Sequence, residues 1–229
     1  MENESLIIHC IRHGESLANA GQATSNPAGI PLTHAGMEQA LILREKLRHL
    51  SPDLLVCSPY LRAQQTAAPT RGIFPDTPME TWPIHEFTFL SREHCTDMTA
   101  EQRKPWVQAF WNRGDPHFVD GEGAESFAGF MARVRGALSG FEALHRKNCR
   151  SVIVFGHNRF FLALRWMIRE NPEPTPEAMQ RFQNIFATEK LGNGTAFTAT
   201  FNGRGWSIGQ ETSERIQPCS QTASPVPSL

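Results

Sequence analysis

The feature of this sequence that most constrains its fold is one arrangement that occurs three times. A short apolar run is followed by a turn and then by residues with helical periodicity, and the runs lie at residues 6–11, 54–57 and 151–155. Each run has the length of a buried strand and ends at polar or turn-forming residues. Strands that alternate with helices predict an α/β fold, a three-layer α/β/α sandwich around a mostly parallel sheet.

Helical periodicity occupies much of the chain between and after these runs. Helices are predicted at residues 33–50, 60–68, 127–144, 160–168 and 178–186. The spacing in the first of them predicts a buried side formed by Met37, Ala40, Leu41 and Leu47.

Turn-forming residues predict where two further elements begin. Ser58 and Pro59 are expected to start the second helix, as its N-cap and first helical residue. Residues 195–201 alternate between apolar and polar side chains and end at Asn202-Gly203, which predicts a hairpin with a return strand around Trp206.

The predicted elements form a single domain over residues 1–210. Within it, residues 87–125 depart from the alternation of strands and helices, and this segment is predicted to be a helical and loop insertion that forms a partial lid. Its aromatic residues either cover the core or favour a substrate with an apolar or ring-bearing part. The final residues, 211–229, are rich in Ser, Pro, Thr and Gln and are predicted to be a disordered tail.

Composition narrows the possible partners. The 229 residues are 40% hydrophobic, enough for a substantial core, and the formal net charge of −1 offers no reason to expect a nucleic acid or a membrane surface as partner. No apolar run approaches the roughly 18 residues that a membrane helix needs. Five cysteines without a CxxC pair favour free thiols and a cytoplasmic location. No cofactor is predicted, and no metal, since the adjacent His94-Cys95 lacks a spaced partner pair.

Four basic or imidazole residues lie where the predicted strands end: Arg12, His13, Arg62 and His157. Because the carboxyl ends of parallel strands meet at one edge of a sheet, these residues are expected to converge. Planar guanidinium groups match the oxygens of a phosphate, and helix N-termini add partial positive charge. The sequence therefore predicts a site for a phosphoryl group, although each residue taken alone is compatible with an ordinary surface turn.

These residues also carry a family resemblance. The segment LIIHCIRHGESLAN resembles the RHG signature of the histidine phosphatase superfamily, which is also described as phosphoglycerate mutase-like. Four further pieces follow in the family's order, PLTHAG, CSPYLRAQQTA, HEF and VFGHN, so that the resemblance spans roughly residues 6–165. The tripeptide alone is a weak signal, whereas five pieces in order are specific.

The resemblance implies a role for each matching residue. His13 would be the nucleophile that forms a phosphohistidine, and Arg12, Arg62 and His157 would hold the phosphoryl oxygens. Asn19 would support the pocket from its side. A backbone carbonyl near the turn is expected to fix the tautomer of the nucleophile, because imidazole attacks only through an unprotonated nitrogen.

The proton donor is also implied by the resemblance. Glu86 would protonate the leaving oxygen and later act as base toward water. Glu80 and Glu93 are nearby carboxylates and remain alternatives. This scheme requires no metal.

The predicted function is hydrolysis of a small phosphorylated substrate as a metal-independent, histidine acid phosphatase-like enzyme. One alternative is a phosphoglycerate mutase, but that branch has Arg-x-x-x-Tyr-Gly just after the acid, whereas this chain has FTFLSRE there and a single tyrosine, Tyr60. The other alternative is a non-catalytic phospholigand-binding module, in which loss of a pocket residue would be expected. The sequence carries no signal for the natural substrate or for an oligomeric state.

Overall fold

The structure, a computed structural model that describes residues 5–212, is built on one six-stranded sheet. The strands are β1 (Leu6–Arg12), β2 (Leu54–Cys57), β3 (Met79–Thr81), β4 (Ser151–Gly156), β5 (Ala196–Phe201) and β6 (Trp206–Thr212). Their order across the sheet is β3-β2-β4-β1-β5-β6. The pairings among β3, β2, β4 and β1 are parallel, whereas β5 is antiparallel to both β1 and β6. The predicted α/β fold with a mostly parallel sheet is confirmed.

Within residues 5–212, six α-helices flank this sheet. They are α1 (His34–Leu47), α2 (Leu61–Ile73), α3 (Lys104–Arg113), α4 (Phe127–Arg146), α5 (Asn158–Glu170) and α6 (Pro176–Thr188). The central strand β4 alternates between two clusters of buried side chains. Val152 and Val154 pack in the cluster that includes α4, α5 and α6, whereas Ile153 and Phe155 pack in the cluster that includes α1 and α2. The alternation of a strand therefore divides the core into two layers.

The start of α2 differs from the prediction. Ser58 is not the N-cap: α2 begins at Leu61, its N-cap is Tyr60, and no side chain caps it. The amide of Ser58 donates to Phe155 O over 3.0 Å, so the bonding between β2 and β4 continues past the end of the strand. The Ser58 hydroxyl lies 2.7 Å from Nε2 of His157, and this contact places it in the site.

The buried side of α1 also differs from the prediction. Met37 and Leu41 are 45% and 48% exposed, whereas Ala40, Leu43 and Leu47 are buried. The reason is a close backbone approach at Gly36, where an added Cβ would lie 2.0 Å from the carbonyl oxygen of Glu15. This tertiary contact sets the rotation of α1 about its axis, which periodicity alone could not do.

Residues 87–125 consist of loops around α3. Phe110 and Trp111 of α3 are buried in the core, whereas Phe87 and Phe89 pack in the core and also line a cavity. Most of the aromatic surface in this segment therefore covers the core.

The predicted hairpin is formed by β5 and β6. Asn202 Oδ1 accepts from the amides of Arg204 and Gly205 at 2.9 Å, and Gly203 has a positive φ of 85°. Of the predicted tail, residues 211 and 212 are the end of β6, so the domain extends past residue 210, and residues 213–229 lie outside the described residues. Within residues 5–212, no helix has the length and apolar character needed to cross a membrane.

Candidate active site

The four predicted phosphate-binding residues meet at the carboxyl edge of the parallel strands. Arg12 ends β1 and is in register with Gly156 at the end of β4, so His13 and His157 follow neighbouring strand ends. Their ring centroids are 5.1 Å apart. Arg62, the second residue of α2, reaches the same point and donates from Nε to Nε2 of His13 over 3.1 Å. The predicted convergence is therefore observed.

The imidazole of His13 is held in one tautomer by its own turn. Nδ1 lies 2.6 Å from the carbonyl oxygen of Gly14, and because a carbonyl only accepts, Nδ1 carries the proton. Nε2 is then the unprotonated nitrogen, and it accepts from Arg62. Burial, reinforced by the charges of Arg62 and Arg12, holds the pKa of His13 well below its usual value. The ring is thus neutral, with a lone pair on Nε2.

Two arginines supply the positive charge beside this nitrogen. Arg62 is buried, donates from Nη1 to Pro27 O over 2.7 Å, and stacks over the ring of Tyr60 at 4.9 Å. Arg12 donates to the carbonyl of Leu191. Burial lowers the pKa of Arg12 to about 10, so this guanidinium remains protonated at neutral pH.

His157 is fully buried behind the pair. Its Nε2 is hydrogen-bonded to the Ser58 hydroxyl, and its Nδ1 has no hydrogen-bond partner among the described residues. Burial, and then the charge of Arg62, holds the pKa of His157 well below its usual value. His157 therefore adds a neutral imidazole dipole rather than a third positive charge.

A pair of glycines allows the turn at His13 to pack tightly. A Cβ added at Gly14 would lie 2.5 Å from the carbonyl oxygen of Gly36, at the start of α1. The Gly14 amide donates to Thr66 Oγ1 over 3.0 Å, and this hydroxyl donates to Arg62 O over 2.7 Å. The glycines and Thr66 of the sequence motifs thus join the turn to both α1 and α2.

Arg12, His13 and Arg62 line a cavity with a volume of about 630 Å³, and Glu86 lies in its wall. Its Oε1 accepts from the amides of Phe87 at 3.1 Å and Arg159 at 3.0 Å. The alternative carboxylates Glu80 and Glu93 are exposed and do not line this cavity. Among the described residues, Glu86 is the one acidic side chain in the cavity wall.

Asn19 lies at the rim and orders the turn rather than pointing freely into the cavity. Its Oδ1 accepts from the amide and hydroxyl of Ser16 and, over 3.0 Å, from Nδ2 of Asn193. Asn193 also donates to the carbonyls of His13 at 3.1 Å and Gly14 at 3.2 Å.

The comparison of this chain with known families decides its membership. A profile described as "Histidine phosphatase superfamily (branch 1)" matches residues 8–202. The chain is a member of that superfamily. The family and the phosphohydrolase function predicted from the sequence are confirmed.

Two curated relatives of this histidine phosphatase are named adenosylcobalamin/alpha-ribazole phosphatase. The protein from Salmonella typhi is 28% identical over 201 residues, which is 85% of this chain and 95% of the relative. The protein from Escherichia coli strain K12 is 35% identical over 155 residues, 64% of this chain and 71% of the relative. A solved structure titled as a putative alpha-ribazole-5'-P phosphatase from E. coli has a TM-score of 0.69 at 24% identity, over 93% of this chain and 98% of that one.

Two residues of the histidine phosphatase site were missed by sequence reasoning. Asn193 precedes β5, which is antiparallel to β1, so the start of β5 lies at the edge where β1 ends. Arg159 is the second residue of α5 and lines the cavity beside Glu86. Arg159 could have been found from the sequence, because it closely follows His157. Asn193 could not, because its place in the site depends on the order of the strands in the sheet.

Proposed function

We propose that this histidine phosphatase hydrolyses small phosphomonoesters through a phosphohistidine formed on Nε2 of His13. The observation that carries the proposal is the 2.6 Å hydrogen bond from Nδ1 to the carbonyl of Gly14. It leaves Nε2 unprotonated at the cavity, and the lowered pKa of the ring keeps it so at mildly acidic pH.

Arg12 and Arg62 hold the equatorial oxygens of the phosphoryl group in this scheme. Two guanidinium groups balance the two negative charges of a phosphomonoester, and such charge compensation with positioning dominates the barrier to phosphoryl transfer. Ser58 holds His157 through Nε2. The other ring nitrogen, Nδ1, has no hydrogen-bond partner among the described residues and is the one that serves the phosphoryl group in this scheme. The scheme uses no metal and no cofactor.

Glu86 acts on the proton in both steps. In the first step the bond from Nε2 to phosphorus forms, the bond from phosphorus to the ester oxygen breaks, and the carboxyl of Glu86 gives its proton to that oxygen. In the second step water attacks phosphorus, its proton returns to Glu86, and His13 leaves as neutral imidazole with release of inorganic phosphate. Placement of Glu86 as the acidic group of the cavity wall supports this role.

The substrate is a small molecule, as supported by a cavity of about 630 Å³. The names of the curated relatives make α-ribazole phosphate one compound to include in a substrate panel. We further infer a cytoplasmic location, which is supported by four unpaired thiols at Cys10, Cys57, Cys95 and Cys149.

The test of the nucleophile is the variant His13→Ala, assayed with 4-nitrophenyl phosphate. We expect turnover to fall by at least about a thousandfold, because the covalent route is removed, and the acid-labile phosphoenzyme to disappear with it. His117→Ala changes an exposed histidine and is the matched control, with activity retained. A folded His13→Ala protein that still forms the phosphoenzyme would show that another residue is the nucleophile.

A further inference from the structure

The cavity contains more positive charge than one phosphoryl group can balance. Its cationic lining residues are Arg12, Arg62, Arg103, Lys104, Arg159 and Lys190, and its acidic lining residue is Glu86. Arg12 and Arg62 lie beside His13 and match the phosphoryl group. The other four cations need a separate explanation.

Two of these four are occupied within the protein. Lys104 lies 2.7 Å from a carboxylate oxygen of Glu101. Arg103 donates from Nη2 to the carbonyls of Thr24, Cys95 and Met98 and to the Thr24 hydroxyl. Arg103 therefore joins residues 95–98 to Thr24, and Lys104 has an acidic partner of its own.

The planar guanidinium group of Arg159 lies against aromatic rings, whereas its N–H groups are available to a ligand. Its guanidinium carbon lies 4.0 Å from the ring centroid of Phe186 and 5.4 Å from that of Phe89. Its backbone amide holds Glu86, but its buried Nε has no hydrogen-bond partner among the described residues. A guanidinium with aromatic faces and free N–H edges is suited to an oxyanion in its own plane rather than to a stacked ring.

Lys190 lies beside the same turn. The amide of Leu191 donates to Oδ1 of Asn158 over 3.0 Å, and this bond places residue 190 next to the first turn of α5. Lys190 is exposed, lines the cavity, and makes no ion pair within residues 5–212. Arg159 and Lys190 thus form one corner of the cavity wall.

We propose that Arg159 and Lys190 are a subsite for a second oxyanion of the substrate, either a carboxylate or a second phosphoryl group. The inference rests on the proposed function. When Arg12 and Arg62 balance the first phosphoryl group, Glu86 is the one acidic lining residue that faces the positive charges of Arg159 and Lys190, so positive charge remains in excess at this corner. The favoured substrates are therefore phosphomonoesters that bear at least two anionic groups.

The test compares 3-phosphoglycerate with glycerol 3-phosphate. Both have three carbons and a primary alkoxide leaving group, so an effect transmitted through Glu86 cancels in the ratio of their kcat/KM values. We expect the wild-type ratio to favour the carboxylate about 10- to 100-fold, as a charge-assisted pair of hydrogen bonds allows. Arg159→Met should lower this ratio at least about tenfold, mainly through KM, and Arg159→Lys should have an intermediate effect.

A second arm identifies the source of the charge. Fructose 1,6-bisphosphate is compared with fructose 6-phosphate, with release of the 6-phosphate followed by phosphorus NMR. A preference in the first pair alone assigns the subsite to a carboxylate, and a preference in the second pair alone assigns it to phosphate. Lys190→Met should reduce whichever preference is found, whereas the matched variant Lys104→Met, whose ammonium is already paired, should not.

The two proposals fail in different ways. Absence of His13-dependent turnover of 4-nitrophenyl phosphate by the wild-type enzyme would overturn the proposed function. Normal turnover with both wild-type ratios near one, or with ratios unchanged in folded Arg159→Met and Lys190→Met enzymes, would overturn the subsite alone. A higher kcat/KM for α-ribazole 5'-phosphate, which has one phosphoryl group, than for every doubly anionic substrate would also overturn the subsite.

Discussion

His13 shows how one neighbouring residue can select the reactive atom of a side chain. The carbonyl of Gly14 accepts from Nδ1, and this local bond directs the lone pair of Nε2 toward Arg62. The sequence predicted that a carbonyl near the turn would do this. The sequence could not show which carbonyl accepts this hydrogen bond. The partner depends on the backbone dihedral angles of the turn, and the residue types alone do not determine these angles.

The role of Glu86 can be tested by comparing substrates whose leaving groups differ in their need for a proton. Replacement by Gln removes the proton but keeps the shape, so Glu86→Gln should slow hydrolysis of alkyl phosphates about 100- to 10,000-fold. Aryl phosphates, whose phenolate leaves without a proton, should be slowed far less in the first step. The measurement is single-turnover formation of the phosphoenzyme with glycerol 3-phosphate and with 4-nitrophenyl phosphate.

The variants Glu80→Gln and Glu93→Gln are the controls for this measurement. Both residues are exposed and lie outside the cavity, so both variants should retain the rates of the wild-type enzyme with either ester. A selective loss of alkyl ester hydrolysis in one of them would transfer the role of acid to that residue.

At the scale of elements, the contact between the His13 turn and α1 determines where the nucleophile lies. Gly36 and Gly14 allow two backbones to approach where any Cβ would collide. Gly36→Ala should therefore cost about 1–3 kcal/mol of the free energy of unfolding and lower kcat by displacing the turn. Urea titration and steady-state kinetics measure the two effects.

Gly136→Ala provides the comparison for this substitution. Gly136 lies within α4, and an added Cβ there would meet no atom within 4 Å. Alanine should stabilise this helix by about 0.5–1 kcal/mol and leave kcat unchanged. Equal stability of Gly36→Ala and the wild-type protein would contradict the importance of the close approach.

Prediction from the sequence succeeded where the signal is local. The run at residues 54–57 is β2 as predicted, and the periodicity at residues 127–144 lies within α4. It failed where one element is adjusted by another. Met37 and Leu43 both fit an amphipathic α1, and the contact at Gly36 selects Leu43 for burial. Likewise, Asn193 enters the site because β5 pairs with β1, a choice that no short motif records.

At the scale of the whole molecule, several histidines make stability depend on pH. Burial lowers the pKa of His9, His13 and His157, and lowers that of His85 to about 4. In the unfolded chain these four histidines take up protons below about pH 6.5, whereas in the folded protein they do so only at lower pH. The stability contributed by these neutral rings is therefore complete above pH 6.5 and is lost as the pH falls toward each folded pKa.

The free energy of unfolding should accordingly fall between pH 7 and pH 5. Each fully protonated histidine of the unfolded chain adds about 1.4 kcal/mol per pH unit to the slope. His85→Gln removes one such group, and the slope between pH 5 and 6 should decrease by about 1 kcal/mol per pH unit. Urea titrations at half-unit steps measure this slope, and an unchanged slope in His85→Gln would show that His85 titrates alike in both states.

The hydrogen bond from Asn193 Nδ2 to the carbonyl oxygen of His13 joins residues 180 positions apart in the chain. A ribosome that adds about 5–20 residues per second releases the first of these residues some 10–40 s before the second. Throughout that interval the nascent chain lacks the strand that completes the turn around its nucleophile. Activity should thus arise only after Asn193 and β5 have been synthesised, because the turn around the nucleophile is incomplete until then.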